Sequence, residues 1–195
     1  MSTQIHAKGD IILFTKAPDS KPELKRLLVH SHFLSQASPV FQRMFSGEFV
    51  ESQGLSALAS RAIKLDDDPK ALFTHTKLIH LCHKGLAISP TAEELYNLAV
   101  VVDKYDCYDA VSITMSAWLH TLDTTTQDAK DWAPLAGAYG VLGQRRGYWD
   151  WTAKLILSFG GSYVPYVDRE ILMLGPGRLV SISSILLMML LANSL

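Results

Sequence analysis

Two cysteines in 195 residues, Cys82 and Cys107, are too few for a disulfide framework, and each falls inside a stretch that reads as helix. That usage belongs to a reducing compartment, so the chain is expected inside the cell, in the cytoplasm or the nucleus. An excess of one charge is also missing. Eighteen lysines and arginines stand against 19 aspartates and glutamates, so no summed field exists to hold phosphates along a groove or to recruit an anionic bilayer. Nucleic acid and membrane are therefore not expected partners. Met1 to Asp10 lacks the apolar core of a secretory signal. A spanning helix needs about 20 predominantly apolar residues, and the densest apolar run, Ile185 to Leu191, is shorter than that.

Catalytic signatures are absent as well. There is no G-x-x-x-x-G-K-[ST] phosphate loop and no G-x-S-x-G elbow. Gly137, Gly140 and Gly143 are spaced G-x-x-G-x-x-G, whereas a dinucleotide fold needs G-x-G-x-x-G directly after a strand; they read as helix-packing glycines. Gly175, Pro176 and Gly177 read as a tight turn. No zinc-finger spacing, basic arm or internal repeat occurs. A cryptic hydrolase is the weakest functional class, and no cofactor and no metal are expected.

What is present is ample material for a core, with 48% of residues hydrophobic. Asp10 to Thr15 is apolar and β-branched and reads as a strand, closed by a turn at Lys16 to Pro22. Leu24 to His30 is its hairpin partner, with Leu28 and the His30 side chain on one face. The period then becomes helical through Phe33, Leu34, Ala37, Val40, Phe41, Met44 and Phe45. Pro39 divides this run, with Ser38 as N-cap and Pro39 as first helical residue, so two short helices meet at Ser38. After a polar loop, Arg61 to Leu65 reads as a third strand. Asp66, Asp67 and Asp68 follow; adjacent carboxylates do not converge on one ion, and Asp68 before Pro69 is a cap. Helices are expected at Ala71 to Lys84, ended by Gly85, then at Glu93 to Lys104 and from Tyr108 to Leu122. Beyond the polar stretch Asp123 to Asp128, further helices are expected at Trp132 to Leu142 and Tyr148 to Phe159, then a Gly160, Gly161 break and a weak last helix.

His75, His80, Cys82 and His83 crowd one expected helix, and His30 with His32 lie at a strand end. His80 and His83 at i, i+3 can share a face, but no second pair with ligand spacing follows, so a closed zinc site is not supported.

The spacing V-H-x-x-x-L-x-x-x-S-P-V-F-x-x-M-F, formed by Val29, His30, Leu34, Ser38, Pro39, Val40, Phe41, Met44 and Phe45, resembles the core of the BTB/POZ family. Gly9 to Leu13, the phrase Phe45 to Phe49, the step Leu65 to Pro69 and Ala99 to Cys107 agree in order. The last of these, with Trp151 to Gly161, looks most like the BTB proteins of filamentous fungi. The resemblance implies an α/β fold in which a small three-stranded sheet caps a cluster of about five helices. The organisation it implies is a tail at 1–8, the domain at 9–122, a linker at 123–130 and a helical extension at 131–195. It also implies a non-enzymatic role in binding other proteins, either a second copy of the chain or a different partner.

Two departures narrow this. Cullin adaptors of the family carry hydrophobic-x-Glu after the second core helix, and Phe49, Val50 and Glu51 match it, which makes Phe49 and Glu51 the candidate protein-binding residues and a cullin a candidate partner. Adaptors of a cullin-type ubiquitin ligase, however, usually add a repeat domain that this chain lacks. Asp10 matches a buried acidic position paired in animal members with a basic residue, and here that place holds Ser31, so Asp10 is expected to cap or to accept hydrogen bonds from Ser31 or the His30 backbone. The charged pocket of transcription-factor members therefore does not carry over, and a transcriptional co-regulator is a lesser reading. The apolar segment Val180 to Leu195 is open between a native helix, a truncated end and a weak anchor.

Overall fold

A computed structural model describes residues 2–15, 25–46, 61–126 and 128–158. The expected turn at Lys16 to Pro22, the polar loop holding Phe49 and Glu51, the Gly160 break, the turn at Gly175 to Gly177 and the segment Val180 to Leu195 lie outside the described residues. The molecule is mixed α/β, and its described residues divide between two compact units, one drawn from Met1–Ala87 and Val101–Ser112, the other from Ile88–Val100 and Ile113–Leu195.

The first unit contains the sheet. Strands β1 (Ser2–Gln4), β2 (Ile11–Thr15), β3 (Lys25–Val29) and β4 (Arg61–Leu65) lie in the order β1-β3-β2-β4. Three strands are thus joined by a fourth, inside the stretch expected to be a tail. It escapes sequence reading because Ser2, Thr3 and Gln4 carry no apolar alternation, and its parallel pairing with β3 uses backbone alone. β2 and β3 pair antiparallel with Ile11 opposite Val29 and Leu13 opposite Leu27, and β4 lies parallel to β2 with Ile63 beside Leu13. The period-two pattern turns Ile11, Leu13, Thr15, Leu27, Val29, Ile63 and Leu65 to the buried face. Leu28, half-buried, takes the other face of β3, and His30 lies beyond the strand as the cap of the helix that follows.

Helices α1 (Ser31–Ala37) and α2 (Pro39–Phe45) meet at Ser38, whose extended backbone ends one and caps the other. Asp68 caps α3 (Pro69–Ile79), accepting from the amides of Lys70 at 3.0 Å and Ala71 at 2.7 Å. The expected end at Gly85 is wrong by several residues. The helix stops at Ile79, and Leu81 takes the left-handed conformation with φ 56°. Its amide donates to Leu78 and that of Cys82 to Lys77, which is the paired closure that a glycine normally provides. Here local hydrogen bonding outweighs the steric cost of a leucine at positive φ.

The next helix, α4 (Ala92–Lys104), opens in the second unit with a reciprocal capping box: the Thr91 amide donates to Glu94 at 3.1 Å, and the Glu94 amide to the Thr91 hydroxyl at 3.2 Å. Helix α5 (Tyr108–Thr125) runs past Leu122, so the expected linker begins as helix. A 3-10 turn (Ala129–Asp131) leads to α6 (Trp132–Val141), and α7 (Arg145–Ser158) starts three residues before the position expected. From Trp132 to Gly140 every residue of α6 is buried, which suits a segment without a charged side chain. Gly143 closes α6 at φ 69°, and Gly147 permits its packing against α7, because a Cβ there would overlap the Tyr139 ring.

Candidate functional site

In the first unit, the residues singled out by sequence gather around the α1–α2 corner. Ser38, 1% exposed, accepts the Phe41 amide at 3.0 Å and donates its hydroxyl to the Tyr105 carbonyl at 2.5 Å. Pro39 follows at the first helical position. Leu34 and Phe41 are fully buried, while Met44 and Phe45 are half-buried. Phe41 stacks on Tyr105 with ring centroids 4.2 Å apart and on Phe45 at 5.5 Å. Stacking of this kind adds about 1 kcal/mol beyond simple burial. These motif residues therefore build the corner.

Asp10 is exposed, not buried as its position in the resemblance implies. Its two oxygens accept the Ser31 amide at 2.7 Å and the Ser31 hydroxyl at 2.6 Å. Partial burial pushes its carboxyl up, the Ser31 hydrogen bonds outweigh it, and the net effect is to hold Asp10 below its usual range. The three adjacent aspartates diverge: Asp66 pairs with Lys64 at 3.4 Å, Asp67 accepts from Lys104 at 2.7 Å and the Tyr105 hydroxyl at 2.5 Å, and Asp68 caps α3. Burial, with the Asp67 carboxylate beside it, raises the Tyr105 phenol.

The histidines separate in the same way. His80 lies one residue beyond α3 and His83 falls in the exposed turn that follows, so the two do not share a helix face. Among the described residues no three His, Cys, Asp or Glu side chains are placed to hold a metal ion. His75 is fully buried, its Nε2 2.8 Å from the Cys107 sulfur and its Nδ1 without a partner. This contact, 32 residues apart in the chain, has no sequence signature. Burial pushes the imidazole down to about 3; burial, with the Asp106 carboxylate adding to it, pushes the thiol up to about 12. Both groups are neutral near pH 7. A cysteine nucleophile needs the opposite arrangement, a thiolate stabilised by an imidazolium, so this pair is packing.

In the second unit, Asp123 accepts from the Tyr139 hydroxyl and from the Trp151 indole at 2.7 Å. Lys154 lies over Trp132 at 4.7 Å and Trp151 at 4.4 Å. A shallow cleft of about 510 Å³ opens beside Thr91, Leu122 and Thr125, where Asp128 and Lys130 neutralise one another at 2.9 Å. Asp131 and the hydroxyl-bearing Thr126 also line it. No described helix is long and apolar enough to cross a membrane. Compared with known proteins, the chain matches no family model and no curated relative.

Proposed function

We propose that the chain is a non-enzymatic protein-interaction module of the BTB/POZ type that associates with a second copy of itself. The observation that carries this reading is the Ser38 corner. The residues of the Val29 to Phe45 motif are spent on capping, on a buried hydroxyl-to-carbonyl tie and on core stacking. An element order β, β, α, α, β, α, α, α surrounds it, preceded by β1. The neutral state of the His75–Cys107 pair argues in the same direction, because it withdraws the one thiol-imidazole contact among the described residues from nucleophilic chemistry.

A second reading, a substrate adaptor of a cullin-type ubiquitin ligase, is favoured by the sequence Phe49, Val50, Glu51. An aromatic side chain seated in a partner pocket supplies buried area, and the flanking carboxylate fixes register. Light scattering of the purified protein, alone and mixed with a purified cullin N-terminal domain, tests both readings. A dimer mass supports the first. A cullin complex that the double substitution Phe49→Ala, Glu51→Ala weakens roughly a hundredfold supports the second. A monomer that forms no complex with either defeats both.

A further inference from the structure

Three histidines in the first unit share an unusual duty around the end of β1. The His6 ring lies 5.1 Å from that of His30 and 6.0 Å from that of His80, and Phe33 sits within 5.7 Å of all three. Each of the three uses a ring nitrogen to accept a main-chain amide. His6 Nδ1 takes the Lys8 amide at 3.2 Å, His30 Nδ1 takes the His32 amide at 3.3 Å, and His80 Nε2 takes the His30 amide at 3.0 Å. The other nitrogen of His80, Nδ1, lies 2.7 Å from the Thr76 carbonyl, which can only accept. His80 is therefore the Nδ1–H tautomer with a bare Nε2. An imidazolium has no acceptor nitrogen, so all three caps require neutral rings.

We infer that His6, His30 and His80 form a proton-operated latch that holds β1 and the turn after it against β3 and releases them on mild acidification. What the latch holds is small. The Ile5 and His6 amides both donate to the Leu28 carbonyl, at 3.0 and 3.3 Å, the Ile5 side chain is buried, and the Cys82 thiol donates to the Ile5 carbonyl at 3.4 Å. A three-residue edge strand has little stability of its own, and such segments open locally without the rest of a domain. Adding protons turns three acceptors into donors that face amides, and sets cations on rings 5 to 6 Å apart. The groups around the cluster offer little compensation. Asp10 approaches His30 from just before β2 and is already engaged by Ser31; α1 contributes the His32 ring, and the chain after α3 the Cys82 thiol. Burial holds the His80 imidazole below its usual range, His6 and His30 act in the same direction, and the Thr76 carbonyl opposes them without prevailing. Release bares the outer edge of β3, where backbone groups from Arg26 to Leu28 become free to pair with another strand.

Amide hydrogen exchange read residue by residue, with each rate divided by its intrinsic value at that pH, tests the latch at about pH 7.5 and about pH 5. Protection of the Ile5 and His6 amides is expected to fall at the lower pH by roughly tenfold or more beyond any fall at Leu72 and Val102, which follow the stability of the whole unit. The triple substitution His6→Asn, His30→Asn, His80→Gln sets an amide oxygen near each accepting nitrogen and cannot titrate, so it should hold its protection at both values. Unchanged protection of Ile5 and His6 in the unsubstituted protein at pH 5 overturns the latch, and this arm needs no variant. An equal loss in the triple variant, or a loss at Leu72 and Val102 as large as that at Ile5 and His6, overturns it as well. Should the triple variant not fold, the single substitution His6→Asn, at a half-buried position just before the turn, must shrink the loss, and an undiminished loss counts against the inference.

Discussion

Ser38 holds two backbones at once, and its worth can be measured. Removing the hydroxyl takes the cap from the Phe41 amide and leaves the Tyr105 carbonyl without its donor in a dry site. A lost cap costs about 1 kcal/mol and an orphaned buried acceptor about 1 to 3 kcal/mol. Ser38→Ala is thus expected to lower the unfolding free energy by roughly 2 to 4 kcal/mol in a denaturant titration; a change within experimental scatter would mean that the tie to Tyr105 carries no weight. The cap half of this arrangement is legible in the dipeptide Ser38, Pro39. The tie is not, since its acceptor lies 67 positions downstream and is main chain, which any residue could supply. The same limit hid the His30–His80 bond, formed across 50 positions.

The starts of α2 and α3 were readable because each rests on a side chain acting within three residues, Ser38 for α2 and Asp68 for α3; α7 begins three residues before the position expected. Ends were harder. A glycine at position 85 is a sound local stop, yet the chain turned earlier at Leu81, where backbone amides reach back to Lys77 and Leu78. Of the three glycines read as helix-packing, Gly137 and Gly140 lie buried within α6. Gly143 serves a turn, and Gly147, outside the G-x-x-G-x-x-G spacing, meets the Tyr139 ring. Alanine at Gly147 gains about 1 kcal/mol of helix propensity but drives a methyl into a ring tethered to Asp123, an overpacking cost of about 1 to 3 kcal/mol or more. Gly147→Ala should therefore lower the thermal midpoint, whereas the propensity gain alone would raise it. The candidate binding residues Phe49 and Glu51 were legible only as a three-residue pattern, and no spacing argument reaches what surrounds them.

At the scale of the whole molecule, acid tolerance follows from a histidine that no surface reading would notice. His75 is buried and neutral in the folded chain, with its imidazole pushed down to about 3, while in the unfolded chain it binds a proton below about pH 6.5. Between those values the unfolded state carries the extra proton, so stability falls as pH falls, starting near 6.5 and levelling near 3. The drop from this one group is on the order of 5 kcal/mol, a large share of the roughly 5 to 15 kcal/mol that holds a typical domain. His80, also held below its usual range, adds to the loss in the upper part of that window, and Asp10 adds only below the ordinary carboxylate range. Denaturant midpoints at a series of pH values check the slope. His75→Phe should flatten it, and an unchanged slope in that variant would assign the acid sensitivity elsewhere.

The partner of His75 turns the same burial into a clock. Cys107 is 1% exposed and its thiol is protonated across the ordinary pH range, while Cys82 is half-buried near the end of β1. A thiol reagent reaches Cys107 only in a molecule that has opened its first unit, and the thiolate that reacts forms only after that opening. When opening and closing are fast, the rate at which the second cysteine is consumed counts the population of open molecules, with Cys82 as the internal reference.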